Sequence, residues 1–145
     1  MNARMSISQV EPGVYKAMTA VEEQLAKFNL NPLLRELIKV RVSQINGCGY
    51  CINIHTKEAR KLGETEQRLY ALSAWWETPF FTEEEQAVLK LAEEVTFISQ
   101  HGVSDATYEN ALKFFGEKIF SQLILAIIAI NGWNRIAIAT HMAAN

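Results

Sequence analysis

Cys48 and Cys51 are the only two cysteines among 145 residues, and His55 follows four positions after the second. Two thiols at that spacing can close into a disulfide and reopen, and a neighbouring imidazole can hold or move a proton. On a helix stepping about 100° per residue, Cys51 lies roughly 60° from Cys48 and His55 roughly 20° from Cys48, so all three share one face. The two Cα atoms are then about 5 to 5.5 Å apart, within the range a disulfide tolerates. Asn46-Gly47 ends the preceding helix and places the thiols in a first turn. Unpaired N–H groups and the helix dipole favour a thiolate there.

Glu36 is the fourth residue of interest. It precedes Cys48 by twelve positions, about 18 Å along an uninterrupted helix, which is outside proton-transfer range. A chain that folds back at Asn46-Gly47 into an antiparallel pair allows Glu36 to approach His55 or the sulfurs. Two other readings use the same residues. The cysteines can be small buried hydrophobes, or Cys48, Cys51, His55 and Glu36 can hold zinc, although a structural zinc site usually draws ligands from two separate knuckles.

The elements that must position this set read as helices. Glycine and proline are scarce at seven and three, and alternating apolar strands are missing, so the expected class is all-α with about six to seven helices. A first helix at about 13–28 carries Val14, Met18, Val21 and Leu25 on one stripe. A second begins near Pro32 with Leu33, Leu34, Leu37, Ile38, Val40, Val42 and Ile45, and Asn46-Gly47 closes it. The third runs from about Cys48 to Leu62 with Gly63 as a left-handed cap. Thr65 caps a fourth, which ends at Trp75-Trp76 before Pro79. Thr82 and Glu85 form a capping box for a fifth, with Val88, Leu91, Val95 and Ile98 facing inward and Gln100-His101-Gly102 as its close. A sixth helix from Ser104 or Asp105 to about Phe115 precedes a last one at about 116–141. Its segment Leu123 to Ile130 is apolar on every side, which calls for burial in a bundle or between subunits.

Composition narrows the function classes. A chain of this length and 49% apolar content suits one domain over 1–145, with no need of a disulfide staple. The net charge of −2 has both signs spread along the sequence, so neither nucleic acid nor an anionic membrane surface is an expected partner. The N-terminal segment lacks a signal peptide's apolar core, and no run reaches roughly 18 apolar residues, so a soluble cytoplasmic protein is expected. In that reducing compartment a lone CxxC is catalytic or metal-binding rather than structural. His101 and His141 read as helix caps. Trp75, Trp76 and Trp133 read as core or interface anchors, and Asn131, Asn134 and Arg135 as a buried or intersubunit polar network. The runs at 57–61 and 83–85 read as solvated helix faces.

The pattern Glu36-x11-Cys48-x2-Cys51-x3-His55 resembles the active-site signature of the alkylhydroperoxidase AhpD-like family, within the carboxymuconolactone decarboxylase-like superfamily. The resemblance is centred on about 33–76 and takes in Arg35-Glu36-Leu37, Val42 to Gly47 and His55 to Ala59, with Asn131 to Arg135 also similar. It implies an all-α AhpD-like bundle that assembles as a trimer or hexamer. By the same resemblance Cys51 attacks a hydroperoxide and becomes a sulfenic acid, Cys48 donates a proton and then resolves it as a disulfide, and His55 and Glu36 relay the proton. An external dithiol reductant protein restores the pair, with no metal, haem or flavin. Where the best-described pattern has a histidine directly before the second cysteine, this chain has Tyr50, which can hydrogen-bond without carrying positive charge. The expected activity is thiol peroxidase. A protein disulfide oxidoreductase or redox-sensing module on the same scaffold is the alternative, and a lactone decarboxylase-type enzyme, which makes no use of a cysteine pair, is a weaker one.

Overall fold

Proline at a first helical position and asparagine before it begin the helix on which the rest is built. Asn31 Oδ1 accepts from the Leu33 N–H at 2.9 Å, Pro32 follows, and the chain then runs helically over Pro32–Asn46. The structure, a computed structural model, describes residues 2–144. Its elements are α1 (Ile7–Val10), α2 (Pro12–Ala26), α3 (Pro32–Asn46), α4 (Gly49–Lys61), α5 (Glu66–Ala71), a 3-10 segment (Leu72–Glu77), α6 (Glu83–Thr96), α7 (Ile98–His101) and α8 (Asp105–Thr140). No strand forms among the described residues. The all-α expectation holds; the extra helices are the single turns α1 and α7.

Helix α3 is the centre of the molecule because both its faces are apolar. Leu34, Ile38 and Val42 enter a core with Val88 and Leu91 of α6 and Leu123, Ile127 and Ile130 of α8. Leu37 and Val40 enter a second core with Ala59, Leu72, Trp75 and Leu89. Leu37, Ile38, Val40 and Val42 are wholly buried, and each stabilises the fold by about 1.5–3 kcal/mol relative to an exposed side chain. A charge on α3 is therefore held rigidly by its neighbours.

Two expected faces turn out differently. On α2, Val14 is 63% and Val21 48% exposed, whereas Leu25 is buried and Tyr15, Met18 and Glu22 are half-buried. The helix is rotated from its apolar stripe because Trp133 of α8 donates to Glu22 Oε1 at 3.0 Å and packs edge-on against the Tyr15 ring. A directional bond plus a ring contact outweighs the burial of one valine. Helix α6 stops at Thr96, ahead of the expected close, and leaves Ile98 exposed on α7.

Along α8, Gly116 takes φ 70° and ψ 166°, so the two helices expected on either side of it are stacked with a break between them. The apolar segment is only partly covered: Leu123, Ala126, Ile127 and Ile130 are buried, while Leu125 and Ile128 face outward. Counted with its alanines, α8 is long and apolar enough to cross a membrane by length and composition, with a mean hydropathy of 1.6 in its most apolar window. Packing against α3 and α6 accounts for the apolarity of its inner side.

A polar ladder fastens α8 to the end of α3. Asn46 Nδ2 donates to Asn131 Oδ1 and Asn134 Oδ1, both at 2.9 Å, and Asn134 Nδ2 donates to Ser43 Oγ at 3.0 Å. Asn131 Nδ2 continues it to Thr96 Oγ1 of α6 at 3.1 Å. The network expected of Asn131 and Asn134 is thus intramolecular, and Arg135 joins it by donating to Asn131 Oδ1 at 2.9 Å. Asn134→Leu leaves the Asn46 amide and the Ser43 hydroxyl short of a partner and is expected to destabilise the protein by about 1–3 kcal/mol. Urea unfolding measures this, and a loss below roughly 0.5 kcal/mol, the range of neutral surface changes, would contradict it.

Candidate active site

The turn between α3 and α4 is made by Gly47, which adopts the left-handed φ of 70° that most side chains resist. The Cys48 N–H closes the turn onto Ser43 O at 2.9 Å, as expected for a helix ended by a left-handed glycine. Cys48 is extended (φ −85°, ψ 91°) and is the N-cap of α4, not its first helical residue; its Sγ accepts from the Cys51 N–H at 3.3 Å. Serine, threonine and aspartate usually perform this role, and here a sulfur does.

Cys48 and Cys51 form a disulfide with Cα atoms 5.3 Å apart. Both residues are buried, together with Ala137 of α8, and Tyr50 and Met142 pack against them. One α4 turn beyond Cys51, His55 meets the residue that α3 contributes. Its Nδ1 is 2.9 Å from Glu36 Oε2. A carboxylate can only accept, so Nδ1 carries the hydrogen and Nε2 is left as the ring's other exchange site.

Glu36 is buried beside two groups of opposite or switchable charge, His55 and Lys39. Burial, the largest influence, pushes its carboxyl upward; the His55 hydrogen bond, the Lys39 ammonium and the His55 charge outweigh it and hold the group below its ordinary value. Lys39 Nζ lies 3.3 Å from Glu36 Oε1 and 3.9 Å from Glu22 Oε2. Glu22 in turn accepts from Trp133. Polar contacts therefore run from His55 through Glu36, Lys39 and Glu22 to the Trp133 indole.

Cys51 and His55 line one cavity of about 330 Å³, walled by Tyr15, Thr19, Ile54 and Trp133 among others. A second cavity, of about 440 Å³, lies against Cys48 and is bordered by Gly47, Gly49, Ile138 and His141. All four residues singled out by type and spacing are thus brought together. Sequence reasoning missed Lys39, Glu22 and Tyr15, whose only signal is a helical repeat shared with many surface positions. It took Trp133 as an anchor, whereas the ring is also a wall of the Cys51 cavity. His141 caps α8 in the left-handed conformation (φ 55°) as well as bordering the Cys48 cavity. Among the described residues, no three His, Cys, Asp or Glu side chains converge as a cation site requires.

An all-α frame with a helix-capping CxxC pair and a Glu–His contact from the adjacent helix is the arrangement that the resemblance to the AhpD-like family implies. The sequence profile of the carboxymuconolactone decarboxylase family matches residues 12–94, and the chain belongs to that family. It is 45% identical over 139 residues to the uncharacterised protein YdfG of Bacillus subtilis (strain 168), covering 96% of this chain and 95% of that one. It superposes with a TM-score of 0.96 and 35% identity on a protein of unknown function from Agrobacterium tumefaciens, for which an AhpD antioxidant-defence identity has been suggested; 99% of each chain is covered. An uncharacterised peroxidase-related protein from Silicibacter sp. TM1040 is similar at 28% identity and a TM-score of 0.80, over 90% of this chain and 69% of that one.

Proposed function

We propose that this chain is a thiol-dependent hydroperoxide reductase. The observation that carries the reading is the Glu36–His55 contact at 2.9 Å, on an imidazole that shares a cavity with one sulfur of a disulfide pair. In the reduced protein His55 Nε2 takes the Cys51 proton, and the ionised Glu36 stabilises the imidazolium. The Cys51 thiolate attacks a peroxide oxygen; the O–O bond breaks, the departing alkoxide takes the Cys48 proton and leaves as an alcohol, and Cys51 becomes a sulfenic acid. The Cys48 thiolate then attacks that sulfur, forming the disulfide, and the displaced hydroxide takes the imidazolium proton and leaves as water. An external dithiol supplies the two electrons that restore both thiols. No metal, haem or flavin enters these steps.

Pre-reduced protein freed of reductant should lose both titratable thiols to one equivalent of cumene hydroperoxide, and should consume the peroxide repeatedly once dithiothreitol is added. Faster turnover of insulin disulfides than of the peroxide would overturn this reading in favour of a protein disulfide oxidoreductase.

Self-association is part of the proposal. Val10, Val14 and Val21 near the N-terminus and Leu125 and Ile128 on α8 are exposed on the single chain. Apolar surface of this extent marks an interaction face, and closed symmetric assemblies are the usual solution. Light scattering at low micromolar concentration is expected to give a trimer or hexamer; a monomer would refute it.

A further inference from the structure

The two cysteines of the pair line different cavities. The cavity that holds His55 is lined by Cys51 and not by Cys48. The other is lined by Cys48 and not by Cys51 or His55. Tyr50, Ala137 and Met142 border both, and they pack around the sulfurs as a wall between the two spaces. Tyr50 is the residue standing where the AhpD-like pattern carries histidine, so this wall uses a bulky, uncharged ring.

Resting on the peroxidase reading above, we propose that the cavities divide the reaction: hydroperoxide reaches Cys51 through the first, and a small dithiol donor reaches Cys48 through the second. The attacked sulfur in a thiol–disulfide exchange is chosen by access and by how well the other sulfur bears charge. Access from the second cavity selects Cys48. The donor thiolate bonds to Cys48 Sγ, the Cys48–Cys51 bond breaks, and the electron pair leaves on Cys51, in the same cavity as His55, which can return it a proton. The donor's second thiolate then attacks the donor sulfur of the mixed disulfide. Cys48 leaves as a thiolate at the α4 N-cap, where the Cys51 N–H already points at it. The donor departs as its own disulfide, having given up two electrons and two protons.

Each leaving sulfur thus has its own stabilising group, an imidazole for Cys51 and a helix N-terminus for Cys48. The reverse order, with the donor at Cys51, would bring it into the cavity the peroxide occupies. Cys48 is only 1% exposed and borders a concave space. That geometry admits a small molecule more readily than the flat face of a folded protein.

The test starts from purified disulfide-form protein with no peroxide present. Brief treatment with 2-mercaptoethanol, acid quenching and peptide mass spectrometry should place the adduct on Cys48; an adduct on Cys51 overturns the proposal. Ile138→Trp, which narrows the second cavity, should shift the ratio of dithiothreitol reduction rate to single-turnover peroxide rate down by about tenfold, and Thr19→Trp in the first should shift it up by a similar factor. Shifts in the same direction, or none, overturn it. Reduced thioredoxin at equal thiol concentration should act no faster than dithiothreitol, and a faster rate refutes the small donor. Wild type that never oxidises with peroxide would sink the peroxidase reading, while the adduct position would still decide which sulfur receives the donor.

Discussion

Cys51→Ser is expected to abolish dithiol-dependent peroxide consumption, by on the order of a thousandfold or more, because a serine hydroxyl near neutral pH is a far weaker nucleophile than a thiolate. Cys48→Ser should fail differently. Its Cys51 still meets peroxide, but the sulfenic acid has no neighbour to condense with and proceeds to the sulfinic state as peroxide accumulates. Stopped-flow peroxide loss and intact mass together separate the two: no oxidation in the first variant, two added oxygens on Cys51 in the second. Equal residual turnover in both would show that the sulfurs are not the reacting atoms. Neither change should unfold the protein, since the cores around α3 contain neither cysteine.

The next largest effect belongs to the proton relay. Glu36→Gln keeps the shape of the side chain and removes its charge, and His55→Gln removes the exchangeable ring; each is expected to lower kcat/KM for peroxide by about 10²–10⁴, the range of general acid–base contributions. Glu36 also couples to stability. Because its carboxyl is held below the ordinary value in the folded protein, its contribution is complete above the unfolded-state value, about 4.3, and is lost as pH falls through the lower folded value. Wild type should therefore lose urea stability more steeply than Glu36→Gln as the pH drops below about 4.3. Parallel curves would mean that burial alone, which acts in the opposite direction, governs the group.

Much of this was legible from residue types. Cys48, Cys51 and His55 on one helix face, the glycine turn and the capping box at Thr82 follow from spacing, whereas Glu36 joins them through the family resemblance. What spacing withheld was whether Glu36 reaches His55. The two lie eleven residues before Gly47 and eight after it, so in an antiparallel pair their levels differ by roughly 4–5 Å, which a glutamate side chain spans. That arithmetic needs the hairpin, which Gly47 turns and which Leu37 and Val40 of α3 hold by packing with Ala59 of α4. The rotation of α2 was hidden for a related reason. Val14 and Val21 look like part of a buried stripe until the Trp133–Glu22 bond, 111 residues apart in sequence, turns the helix so that only Met18 and Leu25 of that stripe face inward. Counting apolar residues cannot anticipate one directional bond of that kind.

Because the atom that caps α4 is itself a redox sulfur, the oxidation state of the pair is written into the first turn of that helix. A Cys48 thiolate accepts the Cys51 amide proton more strongly than a disulfide sulfur does, since charge strengthens a hydrogen bond. Deuterium uptake at that single amide therefore serves as an internal gauge of how much of the protein is reduced, readable without added dye and without following any product.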